Sequence, residues 1–263
     1  MQHEQDSRHF SGEMNNLRLS IVTVTRDDAA GLARTLASAR PLRAVGAEHL
    51  VIDGGTTPEA TRQIAAQEGG GAVVIARPPC GIADAFNAGL GAATGEWVWF
   101  LNGGDRIDPG LNPEVLERLL AETKADVLIG GVTYEGEPGP RPAMPPGKRW
   151  PPLRSWIPHP STLVRRRLFG QFGNFDPRYS IAMDYEWFLR VLCRGTSVEV
   201  HSAPFAVFAG GGISQQPDSF AKIVREQNDA IRRHHRRLWR LSPYVLYRLM
   251  RAALSARLDS SST

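Results

Sequence analysis

The sequence predicts a single α/β domain whose central sheet is mostly parallel and is flanked by helices. Short apolar, β-branched segments alternate with helical patterns over brief connections, which is the order that builds parallel sheets. Polar residues also follow three of these segments closely, at Asp27, Asp53 and Asn102. Ligands of such sheets bind at the carboxyl ends of the strands. The second observation therefore predicts a ligand site at one edge of the sheet.

Each element in the first half of the chain has a local signal. The strands are apolar runs, and the helices carry apolar residues every three or four positions. Thr57 precedes Pro58, and this pair predicts a capped helix start with proline in the first turn. The predicted strands are 17–25, 50–52, 72–76, 96–101 and 127–129, and the predicted helices run through Leu32, Leu36 and Ala39, from Thr57, and over 82–90 and 112–123.

The alternation stops at residues 135–152, which carry too many prolines for any regular element. Such a segment is either a tolerated insertion or a functional, mobile stretch. Beyond it we expect a strand at 161–164 and helices near 165–169 and at 184–194. No linker divides this part of the chain. The predicted organisation is a flexible leader at 1–16, one domain at 17–221 and a basic helical tail at 222–263.

Composition excludes several classes of protein. With 263 residues, 42% of them hydrophobic and 22% charged, the chain is typical of a soluble globular protein rather than a disordered regulator, a fibre or a polytopic membrane protein. Its two cysteines cannot build a disulfide framework and have no metal-ligand spacing. The polar N-terminus lacks a signal peptide's apolar core. These features predict a cytoplasmic protein.

The charge is concentrated at one end. Residues 222–257 carry ten Lys and Arg against two acidic residues, a net charge of +8, so the remainder carries −4 within an overall +4. Apolar and aromatic residues recur at helical spacing among these arginines. A basic amphipathic helix of this kind predicts a peripheral contact with an anionic membrane surface, or a helix that covers the domain's own core. The residues at that spacing are Leu238, Trp239, Leu241, Tyr244, Val245, Tyr247, Leu249 and Ala252.

The most informative stretch is CGIADAFNAGLGAATGEWVWFLNGGD, residues 80–105. It resembles the inverting family 2 glycosyltransferases of the GT-A (Rossmann-like) fold, whose members often read G-I-Y-D-A-M-N-x-G followed by A-x-G-x-x-x-x-F-L-N. The resemblance covers about residues 19–214, with several blocks in the same order. The N-x-G-D form at 102–105 and Gly210-Gly211-Gly212-Ile213-Ser214 are similar to a subgroup associated with colanic acid and related bacterial surface polysaccharides.

The resemblance implies a set of residues that bind a nucleotide-sugar donor. Asp53 matches the aspartate that hydrogen-bonds the nucleobase, and Thr25 matches the threonine of the first loop. Arg26 stands where relatives have an aromatic or apolar residue, and it either stacks on the base, binds a phosphate or is simply exposed. Gly81 begins a helix whose predicted donor-facing side chains are Asp84 and Asn87. Asp84 is alternatively a surface carboxylate near a helix N-terminus.

The same resemblance implies a divalent cation, Mg²⁺ or Mn²⁺, between the protein and the donor diphosphate. Most relatives have D-x-D where this chain has Asn102-Gly103-Gly104-Asp105. Only Asp105 retains a carboxylate, so Asp105 is the predicted metal ligand, and Asn102 is predicted to bind the donor. Hard cations prefer oxygen ligands. A site with one carboxylate and one asparagine offers fewer charged ligands to a cation than the family pattern does.

A transfer that inverts the anomeric carbon requires a base for the acceptor hydroxyl. Ser180–Trp187 matches the family block that carries this base, which predicts Asp184 as the catalytic residue. A helix N-cap is the alternative role for Asp184. His159 resembles a histidine near the acceptor side, although a single histidine is more often structural. The glycines at 210–212 are expected to touch phosphate or to close over the donor.

The sequence therefore predicts a glycosyltransferase that moves a hexosyl or deoxyhexosyl unit from a UDP- or GDP-linked sugar to a glycan or lipid-linked acceptor, in bacterial surface polysaccharide or lipopolysaccharide biosynthesis. The alternative is an inactive nucleotide-sugar binder or membrane scaffold, which the altered D-x-D motif suggests. No phosphate loop follows the first strand, which argues against nucleotidyl transfer. No nucleic-acid-binding module is present, so no nucleic-acid partner is expected.

Overall fold

The computed structural model describes residues 18–142 and 157–235, apart from 69, 79 and 138. Within these residues nine strands form one sheet. The strands are β1 Leu19–Thr25, β2 Glu48–Asp53, β3 Ala72–Ala76, β4 Trp97–Asn102, β5 Arg106–Ile107, β6 Val127–Tyr134, β7 Pro140–Arg141, β8 Thr162–Arg165 and β9 Val198–Phe208.

Eight α-helices lie in the same residues and cover the sheet. Asp28 caps the first of them by accepting a hydrogen bond from the Gly31 backbone N–H. Thr57 occupies the predicted cap position and Pro58 the first turn, but the Thr57 side chain makes no capping bond. The helices are α1 Ala29–Ser38, α2 Arg40–Ala44, α3 Pro58–Gln67, α4 Ile82–Ala92, α5 Pro113–Glu122, α6 Arg167–Phe172, α7 Met183–Leu192 and α8 Phe220–His234.

The sheet has the order β3-β2-β1-β4-β8-β6-β9-β5, with β7 paired to β6. The first four strands are parallel, and their register aligns Thr25 with Asp53 and Val24 with Asn102. Beyond β4 the pairing is mixed, because β8 is antiparallel to both of its neighbours while β6 and β9 are parallel. The α/β fold with a helix-covered central sheet is confirmed. Its parallel half carries the predicted ligand edge.

Two apolar layers hold the helices to the sheet. Alternate residues of β4 point to opposite faces, so Phe100 joins one buried cluster and Trp99 the other. On the Phe100 side, Phe169 stacks on Trp187 with ring centroids 4.2 Å apart, and Phe100 packs edge-on against Phe175 at 5.1 Å. This aromatic cluster fixes α6 and α7 against the sheet.

The longest strand, β9, is absent from the prediction. Its sequence, VEVHSAPFAVF, is interrupted by Ser202 and Pro204 at the point where its pairing with β6 shifts register. Pairing with β6 stabilises the strand in spite of this interruption, and β6 itself extends to Tyr134. The local pattern alone therefore does not indicate a strand.

Three predicted segments lie wholly or partly outside the described residues: the leader 1–16, most of the proline-rich segment, and the tail beyond residue 235. The start of the predicted tail is described, and it is the helix α8. Val224, Ala230 and Ile231 of α8 are buried, and the helix packs on α7. These first turns cover the domain's own core, one of the two roles open to the tail. None of the helices in residues 18–142 and 157–235 combines the length and apolar character needed to cross a bilayer.

Candidate functional site

The loops after β1 and β2 are joined by Asp27. The Asp27 carboxylate accepts hydrogen bonds from the Thr56 backbone N–H at 2.8 Å and from the Thr56 hydroxyl at 3.0 Å. These bonds lower the pKa of Asp27. Asp27 has φ of +52°, a left-handed conformation that is uncommon outside glycine. The sequence predicts Asp27 at this edge but does not predict its hydrogen bonds with Thr56, because Thr56 lies 29 residues away.

Asp53 ends β2 and is 1% exposed. Its Oδ1 accepts the Gly55 backbone N–H at 2.7 Å, which tightens the turn after the strand. Its Oδ2 is buried and has no hydrogen-bond partner. An unpaired buried carboxylate oxygen is costly, so a ligand that donates a hydrogen bond to Oδ2 would be favoured here.

Thr25 lies beside Asp53 and faces the turn after β4. A Cβ added to Gly103 would lie 3.1 Å from the Thr25 hydroxyl, so glycine allows this close approach. Arg26 is different, because 69% of its side chain is exposed and its Nε lies 4.0 Å from Asp27. The structure thus brings Thr25 to the edge and leaves Arg26 in solvent.

The start of α4 lies at the same edge. Gly81 is at the N-cap with φ of +107°, a conformation that disfavours other residues, and Asp84 is half-buried in the first turn. Asn87 is used within the fold. Its Nδ2 donates to the Phe175 carbonyl at 2.9 Å and its Oδ1 accepts from the Phe175 N–H at 3.0 Å. Both ends of the Asn87 amide therefore hold the loop before α7.

The Asn87→Ala variant is expected to lose about 1–3 kcal/mol of unfolding free energy, because it leaves two polar groups of buried Phe175 without partners. We expect its affinity for UDP to change little. Urea denaturation and calorimetric titration with UDP measure the two quantities. The control is Asn174→Ala, at the exposed neighbouring position. A stable variant that has lost UDP affinity would instead assign Asn87 to the donor.

The turn Asn102-Gly103-Gly104-Asp105 connects β4 to β5. Gly104 has φ of +105°, and the Asp105 N–H donates to the Asn102 carbonyl at 3.1 Å. The buried Asp105 carboxylate accepts the Asn102 N–H at 3.2 Å and the Ala209 N–H at 3.3 Å. Burial raises the pKa of Asp105, although His159 and these hydrogen bonds oppose the shift. Asp105 thereby anchors the chain just before the exposed glycines at 210–212.

A metal centre made by the protein alone does not fit this geometry. Both oxygens of Asp105 already accept backbone N–H groups. In the part of the chain that the structure describes, no three His, Cys, Asp or Glu side chains come together as a cation would require. Asp105 remains the one carboxylate of this turn, and its role as metal ligand remains a prediction.

A row of polar side chains leads from the turn to α7. The Asn102 Nδ2 lies 3.4 Å from the His159 Nε2, and the His159 Nδ1 lies 4.0 Å from the Asp184 Oδ2. With Asn102 donating to Nε2, the neutral tautomer of His159 carries its proton on Nδ1, towards Asp184. The structure thus brings together three residues that the sequence separates by up to 82 positions. This row joins the predicted donor edge to the predicted base.

Asp184 lies in the first turn of α7. The helix begins at Met183 with Ala182 as its cap residue, so the alternative of Asp184 as the N-cap is wrong. A quarter of the Asp184 side chain is exposed. Burial raises the pKa of Asp184, while His159 and the Tyr185 N–H hold it down. A carboxylate with a raised pKa is a stronger base, which suits proton abstraction at neutral pH.

Asp184 also borders an aromatic cavity. Phe86, Phe175 and Trp187 form much of the wall, and His159 and Asp184 supply its polar groups. Apolar surroundings weaken hydration of the carboxylate, which is the physical cause of its pKa shift. The cavity therefore belongs to the same site.

Comparison with known proteins identifies the family. The family model described as "Glycosyl transferase family 2" matches residues 20–188. The chain belongs to glycosyl transferase family 2. The chain is 28% identical over 225 residues to an uncharacterized glycosyltransferase of Mycobacterium tuberculosis, covering 82% of this chain and 85% of the relative. It is 27% identical over 186 residues to a PGL/p-HBAD biosynthesis glycosyltransferase of the same species, covering 65% and 68%.

Solved structures share the GT-A glycosyltransferase fold of this family 2 chain. S. aureus TarS 1-349 in complex with UDP-GlcNAc superposes with a TM-score of 0.58 at 18% identity, over 82% of this chain and 67% of that one. The mannosyltransferase PcManGT from Pyrobaculum calidifontis, in complex with GDP-Man and Mn²⁺, gives 0.56 at 16% identity, over 85% and 64%. This family 2 chain therefore spans about two thirds of the length of these structures.

Proposed function

We propose that this protein is an inverting glycosyltransferase that transfers a sugar from a UDP- or GDP-linked donor to a glycan or lipid-linked acceptor. The observation that carries the proposal is the row Asn102–His159–Asp184, which begins at the edge formed by Thr25 and Asp53. A carboxylate of raised pKa at the end of this row, which starts at the proposed donor edge, supports a role for Asp184 as the base. TarS bound to UDP-GlcNAc and PcManGT bound to GDP-Man support the donor class.

In the proposed step, Asp184 takes the proton of the acceptor hydroxyl. The acceptor oxygen then forms a bond to the anomeric carbon, and the bond from that carbon to the diphosphate oxygen breaks. The nucleoside diphosphate leaves with the electron pair of the broken bond. His159 orients the Asp184 carboxylate through its Nδ1, and Asn102 holds the other side of the imidazole ring.

The unpaired Oδ2 of Asp53 supports a preference among nucleobases. A carboxylate only accepts hydrogen bonds, so its partner must present an N–H. Uracil and guanine each carry a ring N–H at the centre of their pairing edge, whereas adenine and cytosine carry an unprotonated ring nitrogen there, which repels a carboxylate, and offer an N–H only from the exocyclic amino group at one side. We therefore propose that Asp53 selects a uridine or guanosine nucleotide.

The acceptor is proposed from two indications. A relative is named for PGL/p-HBAD biosynthesis, and residues 222–257 carry a net charge of +8. A basic segment next to the catalytic domain favours an acceptor held at an anionic membrane surface. With such an acceptor, the protein would act in surface polysaccharide or lipopolysaccharide biosynthesis.

Hydrolysis of a panel of UDP-, GDP-, CDP- and ADP-linked sugars tests the function, since water replaces the missing acceptor. We expect turnover with UDP- or GDP-sugars and none with the other two. Mn²⁺ alone is expected to give no thermal shift, because Asp105 is already engaged, whereas Mn²⁺ with UDP should raise Tm. Tight UDP binding without turnover, with or without Mn²⁺, would favour the inactive binder.

A further inference from the structure

Helix α8 packs against α7, the helix that carries the proposed base Asp184. Its buried residues Val224, Gln227 and Ile231 lie on one face, and α7 is the neighbour of that face. The sequence assigns most of α8 to the basic tail, so its polar residues play no part in the predicted site. Three of those polar residues contact the loop and helix that carry Asp184.

Glu226 makes the most extensive of these contacts. Its Oε1 accepts the Ser180 N–H at 3.1 Å and the Ser180 hydroxyl at 3.0 Å. Its Oε2 accepts the Ile181 N–H at 3.0 Å and the Ala182 N–H at 2.8 Å. The Glu226 carboxylate thus accepts four hydrogen bonds from three consecutive residues.

These bonds hold the chain just before α7, at a helix start that has no side-chain cap. The first N–H groups of a helix have no partner within the helix and are usually satisfied by a side chain at the N-cap. The N-cap of α7 is Ala182, which has no polar side chain. Glu226, on a different helix, instead accepts the N–H of this cap residue and those of the two residues before it, and its negative charge also suits a helix N-terminus. The position of the first turn of α7 therefore depends on α8.

Two further contacts flank Glu226 on the same face of α8. The Asp229 Oδ2 accepts the Tyr179 hydroxyl at 2.6 Å, and the His234 Nε2 lies 2.6 Å from the Glu186 Oε1. Tyr179 and Glu186 stand on either side of Asp184 in the sequence. Helix α8 thus holds the segment 179–186 before and after the proposed base.

We propose that Glu226 is a positioning residue for sugar transfer: by fixing the backbone of Ser180–Ala182, it sets the place of the Asp184 carboxylate beside His159. This proposal rests on the proposed function, in which Asp184 is the base. Glu226 acts through Asp184 and does not touch the reacting atoms.

The charge of Glu226 gives the proposal a second consequence. The groups that act on Asp184 from neighbouring elements are His159, which lowers its pKa, and Glu226, which raises it. Within α7 the nearby Glu186 is paired with Arg190 at 2.9 Å and with His234. Removing the charge of Glu226 therefore lowers the pKa of Asp184.

The test compares Glu226→Gln with Asp229→Asn on the same helix face. Glutamine has one acceptor oxygen in place of two, so part of the Ser180–Ala182 contact is lost. We expect Glu226→Gln to reduce kcat for UDP- or GDP-sugar hydrolysis by about 10- to 100-fold, since small misplacement of a reacting group is costly. The donor KM should stay constant, and the acidic limb of the pH–rate profile should move to lower pH. Asp229→Asn should retain kcat and the wild-type limb, because the asparagine oxygen can still accept the one hydrogen bond that Tyr179 donates.

Hydrogen exchange of the 180–182 amides provides a readout without activity. In Glu226→Gln we expect faster exchange there, with exchange in β1–β4 unchanged. Exchange that stays as slow as in the wild type overturns the proposal, as does an unchanged kcat with an unmoved acidic limb. An equal loss in Asp229→Asn overturns it too. An inactive wild type contradicts the proposed function instead, while the exchange result still decides whether Glu226 holds the loop.

Discussion

The Asp184→Asn variant is expected to lose about 10²- to 10⁴-fold in kcat, the range over which general bases contribute, while it keeps the wild-type affinity for UDP. Asparagine fills the same space but cannot accept the acceptor proton. In the proposed site the nucleotide binds at Asp53, whereas the Asp184 carboxylate faces His159 at 4.0 Å. Donor hydrolysis gives kcat, and calorimetric titration gives the UDP affinity.

The pH dependence of the wild type follows from the same carboxylate. Asp184 acts as a base only when it is deprotonated, and burial raises its pKa. Activity should therefore fall as pH falls through this raised pKa, at a higher pH than for an ordinary aspartate. The stability effect has the opposite sense. Between the pKa of the unfolded chain and the higher native pKa, the native state keeps the Asp184 proton and the unfolded chain loses it. The contribution of Asp184 to the unfolding free energy therefore decreases as pH rises through this range.

The stability effect gives Asp184→Asn a distinguishing property. Above that pH window we expect the variant to be at least as stable as the wild type, because it has no buried carboxylate to ionise. Asp176→Asn is the matched control on the preceding loop, where Arg178 holds the carboxylate at 2.9 Å and its pKa is lowered. This control should retain kcat. Wild-type turnover in Asp184→Asn would remove Asp184 from the chemical step.

The Asp53→Asn variant is expected to bind UDP about 10- to 100-fold more weakly, which corresponds to a lost charge-assisted hydrogen bond of about 1.5–3 kcal/mol. The asparagine oxygen can still accept the Gly55 N–H, so the turn after β2 is retained. The asparagine NH₂ group then takes the place of Oδ2 and faces the N–H of the nucleobase. Two donors face each other, so no hydrogen bond forms. Titration with UDP and GDP measures the loss.

The nucleotide itself supplies the control for Asp53. CDP and ADP present a ring-nitrogen acceptor at the centre of the pairing edge, where UDP and GDP present a donor. They should therefore bind the wild type weakly, and Asp53→Asn should not weaken their binding further. The unfolding free energy should be nearly unchanged, because one retained oxygen keeps the internal hydrogen bond. Equal UDP affinity in both proteins would show that Asp53 serves only the turn.

Much of the donor edge could be predicted from the sequence. The strands that carry Thr25, Asp53 and Asn102 have strong local apolar patterns, and parallel pairing then brings their carboxyl ends together. This reasoning needs only local propensity and one rule of topology. For the same reason the helix containing Asp184 was predictable, to within a residue at its start.

The contacts between distant segments were not predictable in this way. Asn87 shares a helix face with Asp84, but its partner Phe175 lies 88 residues away and no local pattern indicates the pairing. Glu226 stands in a segment whose charge and spacing favour a membrane-facing helix. Its acceptance of the Ala182 N–H depends on how α8 packs against α7. Sequence periodicity indicates which face is apolar but does not identify the neighbour.

The attachment of α8 to the loop before α7 bears on how the chain can be shortened. A version that ends at residue 221, where the charge pattern separates domain from tail, discards Glu226 and His234 and so would lose the support of the base. A version that ends at residue 235 removes the arginines beyond it and retains every described contact of α8. Comparing the longer version with the full chain therefore tests the proposed membrane contact while the contacts that support the proposed base are kept.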